Sequence, residues 1–312
     1  MDISYSIIIP HKNIPDLLVR CVRSIPRRPD VEIVIVDDNS SPDKVDFSHF
    51  PFVGEEGVQV ILDKTGLGAG HARNVGISHA HGRWLLFADA DDFFNYCFDE
   101  ALTRYQEAAA DIIYFRGNCV DSDTYECGHR PNKVLNRWIA LMDRDPARAE
   151  LMLRCNFGEP WCKMVKAELV RSHNICFDEL PARNDTHFSY LAGYYARTIA
   201  TDPHAIYCVT VRSASISRCK TELFKLSTIK VFGTSARFFR EHKVPISERR
   251  HLEQLTRSFW QNKDTYRQGR DYLLSIGYSR SSLRLALCYM SAYIVLWQVA
   301  FELGTRLRKL VG

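Results

Sequence analysis

The sequence predicts an α/β fold for residues 1–218, a doubly wound and mostly parallel sheet flanked by helices, followed by a helical extension over 219–312. Three observations lead there. Short runs rich in β-branched and apolar residues alternate with stretches of helical periodicity, which is the pattern of parallel strands joined by crossover helices. Each early run ends in a cluster of acidic, glycine or proline residues. Right-handed crossovers bring those clusters to one edge of the sheet, where open α/β sheets bind ligands.

The elements follow in order. Tyr5-Ser6-Ile7-Ile8-Ile9-Pro10 reads as the first strand, ended by proline. Leu17, Leu18, Cys21, Val22 and Ile25 then recur at helical spacing. Val31 to Val36 is the second strand and runs straight into Asp37-Asp38-Asn39-Ser40-Ser41. A third short strand, Val58 to Leu62, enters Lys64-Thr65-Gly66-Leu67-Gly68-Ala69-Gly70, and a helix carries Ala72, Arg73, Asn74, Val75 and Ile77. The run Trp84-Leu85-Leu86-Phe87-Ala88 suits a strand buried on both faces and leads into Asp89-Ala90-Asp91-Asp92. On this topology Pro10, Asp37, Asp38, Gly66 to Gly70 and Asp89 to Asp92 share one edge.

Three carboxylates at a strand end repel one another, and a divalent cation with oxygen ligands relieves the repulsion. A solvated turn capping the next helix is the plainer reading. The edge as a whole suits a nucleotide diphosphate. Asp38 can accept hydrogen bonds from a base or ribose, the glycine run lets backbone approach a ligand, and Arg73 can answer phosphate charge. The Asp89–Asp91 pair can hold a cation that bridges the two phosphates. Each piece also has a bland reading: a flexible loop for the glycines, a solvated helix face for Arg73. The glycine spacing is not the dinucleotide fingerprint, and it follows the third strand instead of the first.

Taken in order, Ser6-Ile7-Ile8-Ile9-Pro10, Val36-Asp37-Asp38-Asn39-Ser40, Gly66-Leu67-Gly68-Ala69-Gly70-His71-Ala72-Arg73-Asn74 and Phe87-Ala88-Asp89-Ala90-Asp91-Asp92 resemble glycosyltransferase family 2. Those enzymes have the GT-A fold and use nucleotide sugars. The resemblance implies that donor-binding residues are Pro10, Asp37, Asp38, Gly68, Arg73 and Asp89. It makes Asp91 the residue that contacts a divalent metal, Mn²⁺ or Mg²⁺. It extends to about residue 215. Trp161 and Lys163, in Glu159-Pro160-Trp161-Cys162-Lys163-Met164, match a family segment. Each has an ordinary alternative, a core tryptophan and an exposed lysine. Asp185 matches the family's general base, but Asn184 precedes it where the family has Glu, so Asp178 and Glu179 stay as alternatives. Asp185 also has a plain reading as a helix N-terminal residue. Arg212 or Arg218 is placed for a phosphate contact.

The chemistry implied is a single inverting displacement. The base takes a proton from an acceptor hydroxyl as that oxygen attacks the anomeric carbon of a sugar on a nucleotide diphosphate, expected to be UDP. The expected acceptor is a glycan or lipid-linked glycan of cell-surface polysaccharide synthesis. Two other classes stay open at this point: a nucleotide-binding module without catalysis, and a dinucleotide-dependent oxidoreductase.

Composition fits an enzyme of the cytoplasm or the cytoplasmic face of a membrane. The chain has 312 residues, 46% of them hydrophobic, enough for a large core. Its 10 cysteines are scattered without zinc or C-x-x-C spacing, which argues for reduced thiols. The N-terminus enters a strand directly, without a signal peptide. A net charge of +4 gives no reason to expect a nucleic-acid partner. From Glu222 onward the pattern is helical and basic. Leu285 to Phe301 carries no charge, includes Tyr289, Tyr293 and Trp297, and has Arg284 before it and Arg306 after it. That suits peripheral contact with an anionic membrane, or a helix packed on protein.

Overall fold

The computed structural model of the protein describes residues 2–128, 132–212 and 221–292. The chain divides into two compact units, Met1–Arg218 and Cys219–Gly312.

The first unit is built on β1 (Tyr5–His11), every residue of which is buried. α1 (Pro15–Arg23) begins with proline in its first turn and turns Leu18, Cys21 and Val22 inward. β2 (Val31–Asp38), β3 (Val58–Asp63), α2 (Ala69–His79) and β4 (Trp84–Phe87) complete the predicted βαβ region. β1 pairs in parallel with β2 and β4, and β2 with β3. Strands covered on both faces need no alternation, and Ile7, Ile8, Ile9, Val34, Ile35 and Val36 are accordingly buried in succession. Ser6 is the polar exception. Its hydroxyl donates to Glu32 and accepts from the Gly82 amide, so its burial leaves nothing unpaired.

Beyond β4 the chain adds β5 (Phe93–Phe94), α3 (Phe98–Tyr105), β6 (Ile112–Asp121), α4 (Asn132–Leu141) and α5 (Pro146–Asn156). Then come β7 (Lys163–Lys166), α6 (Ala167–Ser172), α7 (Thr186–Tyr195) and β8 (Ile199–Val211). The sheet order is β3-β2-β1-β4-β7-β6-β8-β5. β7 runs antiparallel to both β4 and β6, β8 runs parallel to β6, and β5 is antiparallel to β8. The sheet is thus mostly parallel, as expected, with a reversal at β7. Its consequence is functional: β8 comes up beside the acidic turn that follows β4.

The second unit contains α8 (Glu222–Glu241), α9 (Arg250–Gln261) and α10 (Lys263–Ser275). Thr221 caps α8 and Asn262 caps α10 through its side-chain oxygen. Ile229, Leu255, Leu273 and Leu283 form its core. Residues 280–292 are helical, with Leu285 and Tyr289 exposed. The remainder of the uncharged run to Phe301, and the segment Ser213 to Arg218, lie outside the described residues. Among the described residues no helix is long and apolar enough to cross a membrane.

α7 is held against α5 by a close approach of backbones. A Cβ added at Gly193 would fall 2.1 Å from the Arg154 carbonyl oxygen. The Arg154 guanidinium in turn donates to the Gly193 and Ala196 carbonyls at 2.7 and 2.6 Å. Gly193→Ala is therefore expected to destabilise the protein by about 1–3 kcal/mol through overpacking, measured by urea denaturation. An unchanged midpoint would show that the helices separate freely here.

Candidate active site

Three carboxylates follow β4, and the fold treats each differently. Asp92 is 2% exposed. It accepts hydrogen bonds from the Tyr207 hydroxyl at 2.9 Å and the Thr210 amide at 2.6 Å. Burial, with Asp91 and Asp89 nearby, pushes its carboxyl well above the usual range. Asp91 is more open. Its Oδ2 accepts from Arg212 Nε at 2.9 Å and Nη2 at 2.6 Å. Burial and Asp89 raise its pKa while Arg212 opposes them. Asp89 is the most exposed of the three, and its Oδ1 accepts from Arg73 at 2.6 Å. The Tyr207 hydroxyl also accepts from the Asp89 amide at 2.9 Å. Arg20 and Thr210 donate to the Asp91 carbonyl. The turn is therefore fixed from β8 and α1, and two of its carboxylates are left facing arginines.

The neighbouring strand ends meet this turn. Pro10 and His11 stand in register with Val36 and Asp37. Asp37 is fully buried and accepts from His11 Nδ1 and from the Ser40 amide and hydroxyl. Burial tends to raise its pKa, but those bonds outweigh it and the net shift is downward. Its oxygens are thus used within the protein, shaping the turn after β2. Asp38, next along, accepts from the Gly68 amide and from Lys12, each at 2.9 Å. Gly68 has φ of +96°, which favours glycine, and it starts α2. The glycine loop is so tied to the end of β2.

Arg73 gathers the rest. It lies on α2, is 5% exposed, and its guanidinium donates to Asp89 and, at 2.9 Å, to the Asn184 side-chain oxygen. It also sits 5.3 Å from the centre of the Phe177 ring. Asn184 thereby brings Asp185 to the acidic turn. Asp185 stands at the N-cap position of α7, yet its side chain makes no capping hydrogen bond. Burial pushes its carboxyl up to about 6, against the attraction of Arg73 and with help from Glu159 and Asp89.

The other candidates fall elsewhere. Glu179 is exposed and pairs with His71 at 2.8 Å; that bond leads the rise in the His71 pKa. Trp161 is 5% exposed, parallel to Tyr207 with ring centres 6.0 Å apart, so it packs beneath the turn as a core residue. Lys163 corrects the expectation of an exposed lysine. It is 2% exposed, and its amine has no hydrogen-bond partner among the described residues. It lies 4.6 and 5.5 Å from the ring centres of Phe157 and Tyr114. Burial lowers its pKa to about 7, opposed by Glu159 and Asp185. Tyr207, Arg20 and Lys12 were not singled out from sequence, because a strand tyrosine or a helix arginine has no local signature. Arg212 was, and Arg218 lies outside the described residues.

Among the described residues no group of three or more His, Cys, Asp and Glu is arranged to hold a metal ion. Asp89 and Asp91 nonetheless fit a weaker kind of site. Both are hard oxygen donors, partly exposed, and their mutual repulsion raises Asp91. Mg²⁺ and similar ions commonly take one or two carboxylates and complete their shell with water and phosphate oxygens.

An acidic pair at one strand end, a glycine loop tied to the end of β2 and a carboxylate at a helix start meet at one edge of an α/β sheet. The chain matches the family model for Glycosyl transferase family 2 over residues 6–173, and it belongs to that family. It is a glycosyltransferase. EpsH of Bacillus subtilis (strain 168), named as a glycosyltransferase, is 23% identical over 259 residues, 80% of this chain and 72% of EpsH. The glycosyltransferase GlyG of Streptococcus pneumoniae is 31% identical over 111 residues, 35% of this chain and 37% of GlyG. S. aureus TarS 1-349, solved in complex with UDP-GlcNAc, superposes with a TM-score of 0.65 at 19% identity, covering 93% of this chain and 88% of that one. The fold is of the GT-A type.

Tyr207→Phe removes the hydroxyl that serves both Asp92 and the Asp89 amide. The expected loss of stability is about 1–3 kcal/mol, since two buried polar groups lose a partner. Chemical denaturation measures it; no change would mean that water replaces the hydroxyl.

Proposed function

We propose that the protein is an inverting glycosyltransferase that moves a sugar from a UDP-linked donor to a glycan or lipid-linked glycan acceptor in cell-surface polysaccharide synthesis. The observation that carries this reading is the Arg73 link: one guanidinium joins Asp89 of the acidic turn to Asn184, the neighbour of Asp185. Family membership and the fold it shares with TarS, crystallised with UDP-GlcNAc, support the class of donor.

On this reading Pro10 backbone, Asp38 and Gly68 border the nucleoside, and Asp37 orients that border. Asp91 with Asp89 would hold Mn²⁺ or Mg²⁺, which when bound supplies positive charge beside the diphosphate. Arg212 and Arg73 add fixed cationic charge at the same edge. Asp185 accepts the proton of the acceptor hydroxyl as its oxygen bonds to the anomeric carbon and the bond to the diphosphate breaks. One displacement inverts the anomeric centre. A carboxylate with a pKa of about 6 is ionised at neutral pH and still basic enough to take that proton.

The test is a panel of nucleotide sugars scored by release of nucleotide. UDP-sugars are expected to turn over, and Asp185→Asn to slow transfer roughly 10²–10⁴-fold with donor binding kept. The parent rate should climb through about pH 6 to a plateau. The stability effect has the opposite sense. The folded Asp185 pKa lies above its unfolded value of 3.8, so stability falls as pH rises from there through about 6. Asp185→Asn should therefore melt measurably above the parent at pH 8, the gap closing toward pH 4. A variant of full activity, with a flat parent pH profile, would remove Asp185 from the chemistry.

The acceptor side is read from the second unit. Leu285 and Tyr289 are exposed four residues apart on one helical face, at the start of the uncharged run. We read that face as a peripheral membrane contact. Full-length protein should float with anionic vesicles at low salt and be released by added salt. Protein left in the soluble fraction at low salt overturns it.

A further inference from the structure

We propose that the second unit holds a separate binding site for a phosphate monoester, in the pocket between the end of α8, the segment leading to α9, and Tyr278. The pocket has a volume of about 560 Å³ and shares no lining residue with the candidate active site. Three features of its wall point to this ligand.

The first is uncompensated positive charge. Arg240 makes no ion pair or side-chain hydrogen bond among the described residues; its guanidinium rests 5.3 Å from the centre of the Tyr278 ring. Arg237, one turn earlier on α8, is by contrast engaged by Glu241 and the Ile276 carbonyl. Arg249 is exposed, and among the described residues its side chain donates only to the Ser247 hydroxyl. The acid in the wall, Glu248, is buried, and Arg250 bonds both its oxygens at 3.0 and 2.9 Å. Its charge is spent. Two arginines of the lining are therefore without a paired anion among the described residues, and guanidinium is the side chain best shaped to take phosphate oxygens in pairs.

The second is an orphaned imidazole. His251 is 2% exposed, yet among the described residues neither ring nitrogen has a hydrogen-bond partner. Buried polar groups are seldom left so, because the lost hydration goes unreplaced. Burial and the charge of Arg240 lower its pKa to about 4, so the ring is neutral and offers one N–H donor and one acceptor. A phosphate oxygen in the pocket can pair with one of the two nitrogens.

The third is the rest of the lining. Val244, Pro245, Ile246 and Leu252 are apolar, and the volume exceeds what an inorganic phosphate fills. That leaves room for the organic substituent of an ester, polar or hydrocarbon.

The experiment titrates full-length protein with inorganic phosphate, glucose 1-phosphate and farnesyl monophosphate at constant ionic strength. Binding is read by calorimetry and by the ¹⁵N signals of the His251 ring. An ester is expected to bind more tightly than inorganic phosphate and to shift the His251 signals. The sugar and prenyl arms identify whether the phosphate comes from a soluble sugar or a lipid. Arg240→Gln, at an exposed position, should weaken each ester about 10- to 100-fold while UDP binding is unchanged. Arg249→Gln should act in the same direction. Unmoved His251 signals with every probe, or equal affinity in Arg240→Gln, overturns the proposal and leaves the imidazole to a buried water.

Discussion

The buried guanidinium of Arg73 is the interaction on which the site depends. It lies on the first turns of α2, reaches Asp89 after β4, and holds Asn184 before α7. These three segments are far apart in sequence and share no backbone ladder. An arginine buried to this extent needs partners, and removing one from a buried pair typically costs about 3–5 kcal/mol. The positions of Asp89 and of the residue after Asn184 are therefore coupled through one side chain. The face of Phe177 under the guanidinium adds a cation–π contact and limits its movement.

The acidic turn illustrates how a fold keeps like charges together. Asp92 gives up solvent and sits among Tyr207, Thr210 and the strand backbone, with its carboxyl raised. Asp91 and Asp89 each have an arginine. The three acids are thus not equivalent, and the most buried one supports the other two. β8 makes this possible by supplying Tyr207 and Thr210, with Arg212 just past its end. Tyr207 serves the turn through its side chain, and Thr210 through both its backbone amide and its hydroxyl.

Much of the first hundred residues was legible in the sequence because parallel strands buried on both faces are apolar without interruption. The runs Tyr5–Pro10 and Trp84–Ala88 carry that signal, and the residues after them mark the ligand edge. The later part was less legible. Nothing in Lys163-Met164-Val165-Lys166 tells a strand's direction, so the antiparallel β7 was not foreseen. Lys163 itself reads as a surface residue by composition; only the packing of Phe157 and Tyr114 shows otherwise. The depth of Asp37 was likewise hidden, because His11 and Ser40 close on it across the turn. In the second unit, Arg240 and His251 gave no motif at all, since their relation is set by helix packing over a dozen residues of sequence.

Asn184 stands where the family resemblance leads one to expect a glutamate, and the electrostatics around Asp185 show what takes its place. A second carboxylate at 184 would repel Asp185 and raise its pKa. With Asn there, that repulsion comes from Glu159 and Asp89, while burial supplies the larger part. The amide oxygen of Asn184 still satisfies Arg73, but as a neutral acceptor it leaves more of the arginine's charge for its neighbours. Arg73 therefore pulls the Asp185 pKa down as burial pushes it up. Lys163 lies close enough for Asp185 and Glu159 to sustain its charge against burial, and with a pKa near 7 it is a weak counter-ion. The Asp185 carboxylate keeps an intermediate basicity, set by burial and by the charges of Arg73, Glu159 and Asp89 and not by the residue beside it.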